Sequence, residues 1–476
     1  MRKTAWALAA LLLVPVAARA NAPEADSPAF YAENDELRGY ILEAIDRSPA
    51  LRAAHAEWRA AMERVTMAGA LDDPTLSYSY FAQSSDKRYG VGLMQEFPWF
   101  GTLKARKNAA LAEADVALQR LHVVRSEIVF EVKRAYHEYA YLADNLRAAE
   151  AQAATLSYME DIVRAQYALA LVGEDDLLRT QIEQSTLQDY YASLQQLRPA
   201  LAARLTAAIG RDVAEAPAWP QPMALPPPPP PAPVVLAQVR AANPQLTAAQ
   251  HTIDSRKAGT ALARKMGYPM LGIGLEFEKM KGMRGMPQTT ALLNAADAGK
   301  RLFIAGEMDW IGAAMDVDML ARTPRELRSP DVKDDVMVTF TMSLPIWRQK
   351  VRAGIAEAKR MEEAAVHDRS QMALDMESEA RMAIYNHEDA QRRLNLYDET
   401  LMPRAKQTYQ NLQTRYAAAA GAGFLELIDA TRTLLDFERA RARALHDLHQ
   451  AVAAIERLMG GPWDATSASS PISSRD

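Results

Sequence analysis

The sequence has no cysteine among its 476 residues and is poor in glycine, with 21, and in aromatic residues, at 7%. The lack of cysteine excludes disulfides, thiolate metal sites and an N-terminal cysteine that carries a lipid. Few glycines and abundant alanine favour long helices over a β-sandwich. The formal net charge is only -5 and no segment concentrates basic residues, so nucleic acid is not an expected partner.

Residues 1–20 have the pattern of a secretory signal peptide. Arg2 and Lys3 precede an apolar run that ends near Val16, and Ala18 and Ala20 provide the small residues of a cleavage site. The run is too short for a membrane span, and no later segment offers ~20 consecutive apolar residues. The mature chain is therefore expected to be exported, and any membrane crossing is expected to use strands.

Two stretches of the sequence contain the same features in the same order, which predicts an internal duplication. Pro49 of the first copy matches Pro244 of the second, and Pro98 matches Pro345. Each copy is predicted to contain a helix, two strands, a very long helix, a break at glycine and another long helix. The predicted domains are a signal peptide (1–20), a first repeat (21–216), a Pro-rich linker (217–233), a second repeat (234–460) with an insertion (279–335), and a disordered tail (461–476).

Four segments alternate apolar residues with small or polar ones, as strands with one apolar face do. In "TLSYSYF" the apolar positions are Leu76, Tyr78 and Tyr80, and "VMVTFTMSL" alternates in the same way. This alternation suits membrane β-strands, although a half-buried sheet in a soluble domain has the same pattern. Four strands cannot close a barrel, and an open edge in hydrocarbon leaves backbone groups unpaired. If the strands lie in a membrane, three chains of four strands would close a twelve-stranded barrel.

The segments between the strands predict long helices and a stiff connection. From Thr102 to Ala170 the chain has no proline, and small and apolar residues recur at helical spacing, as in a coiled-coil tube. Six consecutive prolines, 226–231, favour an extended polyproline spacer between the copies, and a Pro-rich ligand for a signalling domain is the alternative.

In their order, these features resemble the TolC-like outer-membrane factors, the exit ducts of tripartite efflux and type I secretion systems. The resemblance is carried by the duplication, by the strand-proline-helix joints "LMQEFPWFGTLKARKNAA" and "FTMSLPIWRQKVRAGIAEA" at Pro98 and Pro345, and by the glycine-marked hairpins. It implies a mainly α protein with membrane β-structure: a homotrimeric twelve-stranded barrel in the outer membrane, continued by an α-helical coiled-coil barrel in the periplasm. The implied partners are a periplasmic adaptor (membrane fusion protein), an inner-membrane pump of the resistance-nodulation-division type and outer-membrane lipid.

The resemblance also implies which residues lie at the periplasmic end. Gly173, Gly421 and Gly423 mark hairpin tips that contact the adaptor, and Glu426 and Asp429 match the acidic residues that constrict the channel. The alternative for these acids is that they complement the positive N-terminal end of their helix.

The insertion in the second copy carries closely spaced methionines. Residues 266–319 contain eight of the 22 methionines, and Met280, Met283 and Met286 recur every three residues among glycines. Thioethers are soft ligands suited to Cu(I) and Ag(I), although methionine also fills gaps in self-packed loops. With the resemblance to heavy-metal members, this pattern predicts copper or silver as cargo. A drug-efflux or type I secretion channel is the alternative.

Catalysis is not expected. The sequence lacks the G-x-S-x-G, H-E-x-x-H and phosphate-loop motifs, and no cofactor is predicted. His446 and His449 have a spacing that metal ligands can show, but a solvated helix face is the favoured interpretation. A periplasmic adaptor is a weaker alternative function, because adaptors carry one helical hairpin and a flanking β-domain.

Overall fold

The computed structural model describes residues 34–82, 87–170, 172–212, 217–280, 335–417 and 424–463. The chain divides into two compact units that each collect distant segments of the sequence. The first unit comprises Met1–Ser48, Ile128–Pro231 and Ala383–Asp476, and the second comprises Pro49–Glu127 and Ala232–Met382.

Within the described residues, each half of the sequence contains two short helices and two strands, followed by two further α-helices in the first half and three in the second. The elements of the first half are α1 (Asp35–Arg47), α2 (Pro49–Gly69), β1 (Thr75–Tyr80), β2 (Lys87–Pro98), α3 (Thr102–Ala168) and α4 (Glu174–Ile209). Those of the second half are α5 (Ala232–Ala242), α6 (Pro244–Lys265), β3 (Met270–Met280), β4 (Asp335–Ser343), α7 (Arg348–Leu396), a π-helical turn (Tyr397–Leu401), α8 (Met402–Ala417) and α9 (Phe424–Met459).

Proline and glycine mark the ends of corresponding helices. Pro49 and Pro244 are the first residues of α2 and α6, where a missing N–H costs no helical hydrogen bond. The side chain of Asn243 caps α6 by accepting from two backbone N–H groups. Gly210 and Gly460 follow α4 and α9 with φ of 82° and 83°, the left-handed conformation that favours glycine at a helix C-terminus.

In the first unit, α1 packs against α3 and α4 around buried aromatic and aliphatic side chains. Tyr136 and Tyr139 of α3 are fully buried there, with Leu37 of α1 and Leu205 of α4. The hydroxyl of Tyr136 donates to a Glu36 carboxylate oxygen at 3.2 Å, and burial raises the pKa of Tyr136. The phenol therefore stays protonated and keeps this hydrogen bond.

In the second unit, the four strands form one antiparallel sheet in the order β1-β2-β3-β4. The register places apolar residues side by side on one face, in two complete rows across all four strands. The rows are Leu76, Leu93, Leu275, Val338 and Tyr78, Val91, Phe277, Val336. Many of these side chains are exposed, so one face of the sheet presents a broad apolar surface.

The opposite face of the sheet is small, polar and acidic. A row across this face contains Ser79, Gly90, Glu278 and Asp335. A Cβ placed on Gly90 would meet the Ser79 hydroxyl at 2.7 Å, so glycine leaves room for the polar side chains beside it. Among the described residues, β1 and β4 are the edge strands of the sheet, each with one neighbouring strand.

Both strand-to-helix joints belong to the second unit. Pro98 is the last residue of β2, and β4 ends two residues before Pro345. The tryptophans that follow these prolines differ in their surroundings. Trp99 stacks on Tyr268 with ring centroids 6.3 Å apart, whereas Trp347 is exposed.

Candidate functional site

The predicted acidic pair lies at the start of α9, in the first unit. Glu426 is in the first turn of the helix, and Asp429 follows one turn later. Leu427 and Ile428 between them are buried, whereas both acids are exposed. The helix therefore turns its apolar side inward and presents the two carboxylates together on its outer side.

The buried side of α9 fixes this orientation. Thr431 lies against α3, where the Gln152 amide donates to the Thr431 carbonyl at 3.2 Å. Arg432 forms an ion pair with Glu183 of α4. The buried apolar residues of this contact are Ala149, Leu156, Met159 and Val163 of α3, Leu187 of α4, and Leu427, Ile428 and Leu435 of α9.

Glu426 and Asp429 line a cleft of about 440 Å³ between α8 and α9. Arg404 of α8 also lines the cleft, and Phe437 of α9 contributes an aromatic surface. Two carboxylates against one guanidinium leave a net negative charge, which attracts cations. Glu426 also lies at the positive N-terminal end of the helix dipole. The geometry therefore fits both interpretations of the acids, as a channel constriction and as a complement to the helix dipole.

The cleft includes a feature that the sequence prediction missed. A π-helical turn, Tyr397–Leu401, separates α7 from α8, and the backbone N–H of Met402 donates to the carbonyl of Tyr397. Pro403 follows at once and has no N–H for the carbonyl four residues earlier, which disfavours a regular α-helical turn here. The proline in "LMPRAK" was the available signal.

The first predicted hairpin tip precedes α4. Gly173 is the N-cap residue, and Glu174, Asp175 and Asp176 fill the first turn. Burial, followed by the charge of Asp175, raises the pKa of Asp176. Gly421, Gly423, Met283 and Met286 lie outside the described residues, as does the side chain of Met280.

The two histidines of α9 are not on a solvated face, and that expectation was wrong. His446 and His449 are both buried, because this side of α9 packs against α3. Among the residues that the structure describes, no three His, Asp or Glu side chains converge in a way that could hold a metal ion. Within the same ranges, no helix combines the length and the apolar content of a membrane span.

Comparison with known proteins gives one family match and several structural matches. The model of the family described as "Outer membrane efflux protein" matches residues 40–211 and 235–461. No curated protein sequence matches the chain.

Three solved structures illustrate the shared fold. The outer membrane protein VceC from Vibrio cholerae is 17% identical, with a TM-score of 0.68, over 90% of this chain and 97% of VceC. CusC, solved in a study of transmembrane channel formation, is 15% identical with a TM-score of 0.70, over 91% and 94% of the two chains. The open state of the MtrE outer membrane channel from Neisseria gonorrhoeae is 18% identical with a TM-score of 0.68, over 89% of each.

Proposed function

The chain belongs to the outer membrane efflux protein family, and we propose that it forms, as a homotrimer, the outer-membrane exit duct of a tripartite efflux system. The family is one of transport channels and not of enzymes. The four-stranded sheet supports the homotrimer most directly. β1 and β4 are its edges and one face is apolar across all four strands, so further strands are needed to close it in a membrane.

Three copies of this sheet give twelve strands. β1 of one chain pairs with β4 of the next, the apolar rows face lipid, and the face with Glu278 and Asp335 lines the lumen. The long helices of the three chains form the periplasmic tube. A periplasmic adaptor and an inner-membrane pump of the resistance-nodulation-division type complete the system, and the pump supplies the energy.

The trimer is tested by fractionating cells that express the chain and extracting the protein in mild detergent. We expect it in the outer-membrane fraction, with a mass of three chains by light scattering after correction for detergent. Recovery of the expressed protein as a soluble monomer would contradict the proposal, because the apolar rows would then be covered within one chain.

We propose further that the duct exports Cu(I) or Ag(I). The support is the spacing of Met280, Met283 and Met286 among glycines, together with the resemblance to heavy-metal members of the family. Export of organic drugs, or of a protein by type I secretion, is the second candidate function. The acidic cleft favours cationic cargo in general, so it does not separate metal ions from organic cations.

Replacing these three methionines by leucine is expected to lower the silver and copper tolerance of cells that carry the duct and its pump. Leucine keeps the apolar volume and removes the thioether. The matched control replaces three exposed methionines, Met67, Met361 and Met382, and should leave tolerance unchanged. The two variants are compared at equal amounts of trimer. If both give the same metal tolerance, the proposed methionine site is contradicted. If the first variant loses only drug tolerance, the second function is favoured.

A further inference from the structure

Four connections between helices and strands meet at one end of the sheet. β2 ends at Pro98, which pairs with Met270 at the start of β3, and Met270 pairs with Ser343 at the end of β4. β1 begins at the same end, where Thr75 pairs with Met94. The helix ends next to the sheet are therefore the C-terminal ends of α2 and α6 and the N-terminal ends of α3 and α7.

Basic side chains are concentrated at these helix ends. Residues 98–112, 255–275 and 344–356 contain ten Lys or Arg residues and no Asp or Glu. Arg106 forms an ion pair with Asp72 at 3.5 Å. Seven others, here called the basic collar, are exposed or half-buried, and none of them has an ion-pair partner among the described residues. They are Lys104 and Lys107 of α3, Arg264 and Lys265 of α6, and Arg348, Lys350 and Arg352 of α7.

Close contacts bring the three helix ends into one patch. The amino group of Lys265 lies 5.3 Å from the ring centroid of Tyr268, and a Cβ placed on Gly101 would lie 3.6 Å from the same nitrogen. The end of α6 is therefore beside the start of α3. A Cβ placed on Gly267 would meet the Val351 side chain at 2.6 Å, so the end of α6 also contacts the start of α7. The collar is thus a continuous basic surface.

The positive charges at the starts of α3 and α7 do not stabilise these helices. The N-terminal end of a helix is positive and favours acidic side chains. Away from the sheet the chain follows this rule, with Glu174 in the first turn of α4 and Glu426 in that of α9. At the sheet it does the opposite, because α3 and α7 have no acid in the first turn and carry Lys104 and Arg348 there. An anion from outside the chain would offset this repulsion.

The collar follows an apolar and then an aromatic zone. The last apolar row of the sheet before the helices contains Phe97, Leu271 and Met342. Beyond it, Phe100 is 48% exposed and Trp347 is 74% exposed. Exposed aromatic residues between an apolar surface and a charged one are typical of the headgroup level of a membrane.

The depth of the collar matches the headgroup layer. Lys107 is five residues into α3 and Arg352 is four residues into α7, which is about 8 Å or less along each helix axis. The headgroup layer on each side of the hydrocarbon is about 5–8 Å thick. Long basic side chains at this depth reach lipid phosphates.

We propose that the basic collar binds the headgroups of anionic phospholipids in the periplasmic leaflet of the outer membrane. This inference rests on the proposed function, which places the apolar rows of the sheet in lipid and the helices in the periplasm. The collar is continuous with that apolar surface, and its charge is complementary to anionic headgroups. Each Lys or Arg near an anionic bilayer surface raises the affinity about fivefold.

The test uses the full-length trimer reconstituted in phosphatidylcholine vesicles that contain a trace of spin-labelled lipid. Electron paramagnetic resonance measures the fraction of labelled phosphatidylglycerol or phosphatidylcholine that the protein restricts. Averaged over all lipids that contact the protein, we expect at least threefold preference for phosphatidylglycerol at about 50 mM salt. The preference should fall by at least half at about 500 mM salt, because salt screens exposed charges. A preference that salt does not change would overturn the proposal.

Two variants of α7 separate the collar from overall charge. Lys350→Gln with Arg352→Gln removes one Lys and one Arg from the collar and should reduce the preference by at least half. Lys359→Gln with Arg360→Gln removes the same two residue types about 16 Å from the start of α7, beyond the headgroup layer. Both control positions are exposed, and Arg360 forms only a surface ion pair with Glu363. The control should keep the preference of the parent, and equal preference in the two variants would overturn the proposal.

Failure of the collar is distinguishable from failure of the duct. A parent trimer that inserts into vesicles but binds both lipids equally would contradict the collar alone, and an acidic protein would then be the better candidate for its partner. Recovery of the chain as a soluble monomer would overturn both proposals, because the collar would then not meet a bilayer.

Discussion

Replacing Phe340 by arginine is expected to reduce the trimer recovered from the outer membrane at least tenfold, whereas arginine at the adjacent Thr339 should leave most of it. Phe340 lies on the apolar face of β4 and is 58% exposed, and Thr339 lies on the polar face. Arginine on the lipid side of a membrane barrel costs about 2–4 kcal/mol near the midplane. Since about 1.4 kcal/mol is a factor of ten, one substitution per chain is sufficient for a large loss.

The two variants add the same side chain at neighbouring positions of one strand, so expression and net charge are matched. The measurement is the ratio of outer-membrane trimer to total chain, by quantitative immunoblot of unheated and heated samples. Equal losses in both variants would show that the face of the sheet does not matter. A loss confined to Thr339→Arg would reverse the assignment of lipid and lumen sides.

Replacing Glu426 and Asp429 by alanine together is expected to raise the single-channel conductance several-fold and to weaken cation selectivity. Both side chains are exposed on one side of α9, and three copies would form an acidic ring at the narrowest point of a closed duct. A ring of carboxylates binds cations and slows their release. Removing the carboxylates therefore widens the passage and reduces its negative charge. Planar bilayer recordings with potassium chloride gradients measure both quantities.

The first hairpin supplies a matched control. Glu174→Ala with Asp175→Ala removes the same charge from the first turn of α4, where the acids suit the helix dipole. We expect conductance close to that of the parent. If the α9 variant also conducts like the parent, Glu426 and Asp429 serve only their own helix, and the constriction lies elsewhere.

The strands show how much of the sheet the local sequence pattern predicts. Alternation in "TLSYSYF" and "VMVTFTMSL" predicted which side chains share a face, because successive residues of a strand point to opposite sides. It could not supply the register. The pairing of Leu76 with Leu93, of Leu93 with Leu275 and of Leu275 with Val338 depends on contacts between residues far apart in the chain.

The helices show that the sequence pattern does not predict which helix face is buried. Charge and apolar spacing predicted α3 and α9, but not which side of α9 is covered around His446 and His449. Histidine tolerates both water and burial, and only the position of α3 decides between them. The π-helical turn before Pro403 was not predicted, because a proline disturbs a helix without specifying how the backbone absorbs the disturbance.

By itself the sequence determined the order of helices and strands, the apolar face of each strand and the resemblance to an efflux duct. These follow from residue periods of 2 and 3.6 and from proline and glycine at fixed places, which are local properties of the chain. Only the tertiary structure decided that Glu426 and Asp429 share a cleft with Arg404, and that Met223 and Ala224 of the proline-rich linker contact His137 and His449. These contacts join residues up to 225 positions apart, and no local period encodes which distant partner a side chain meets.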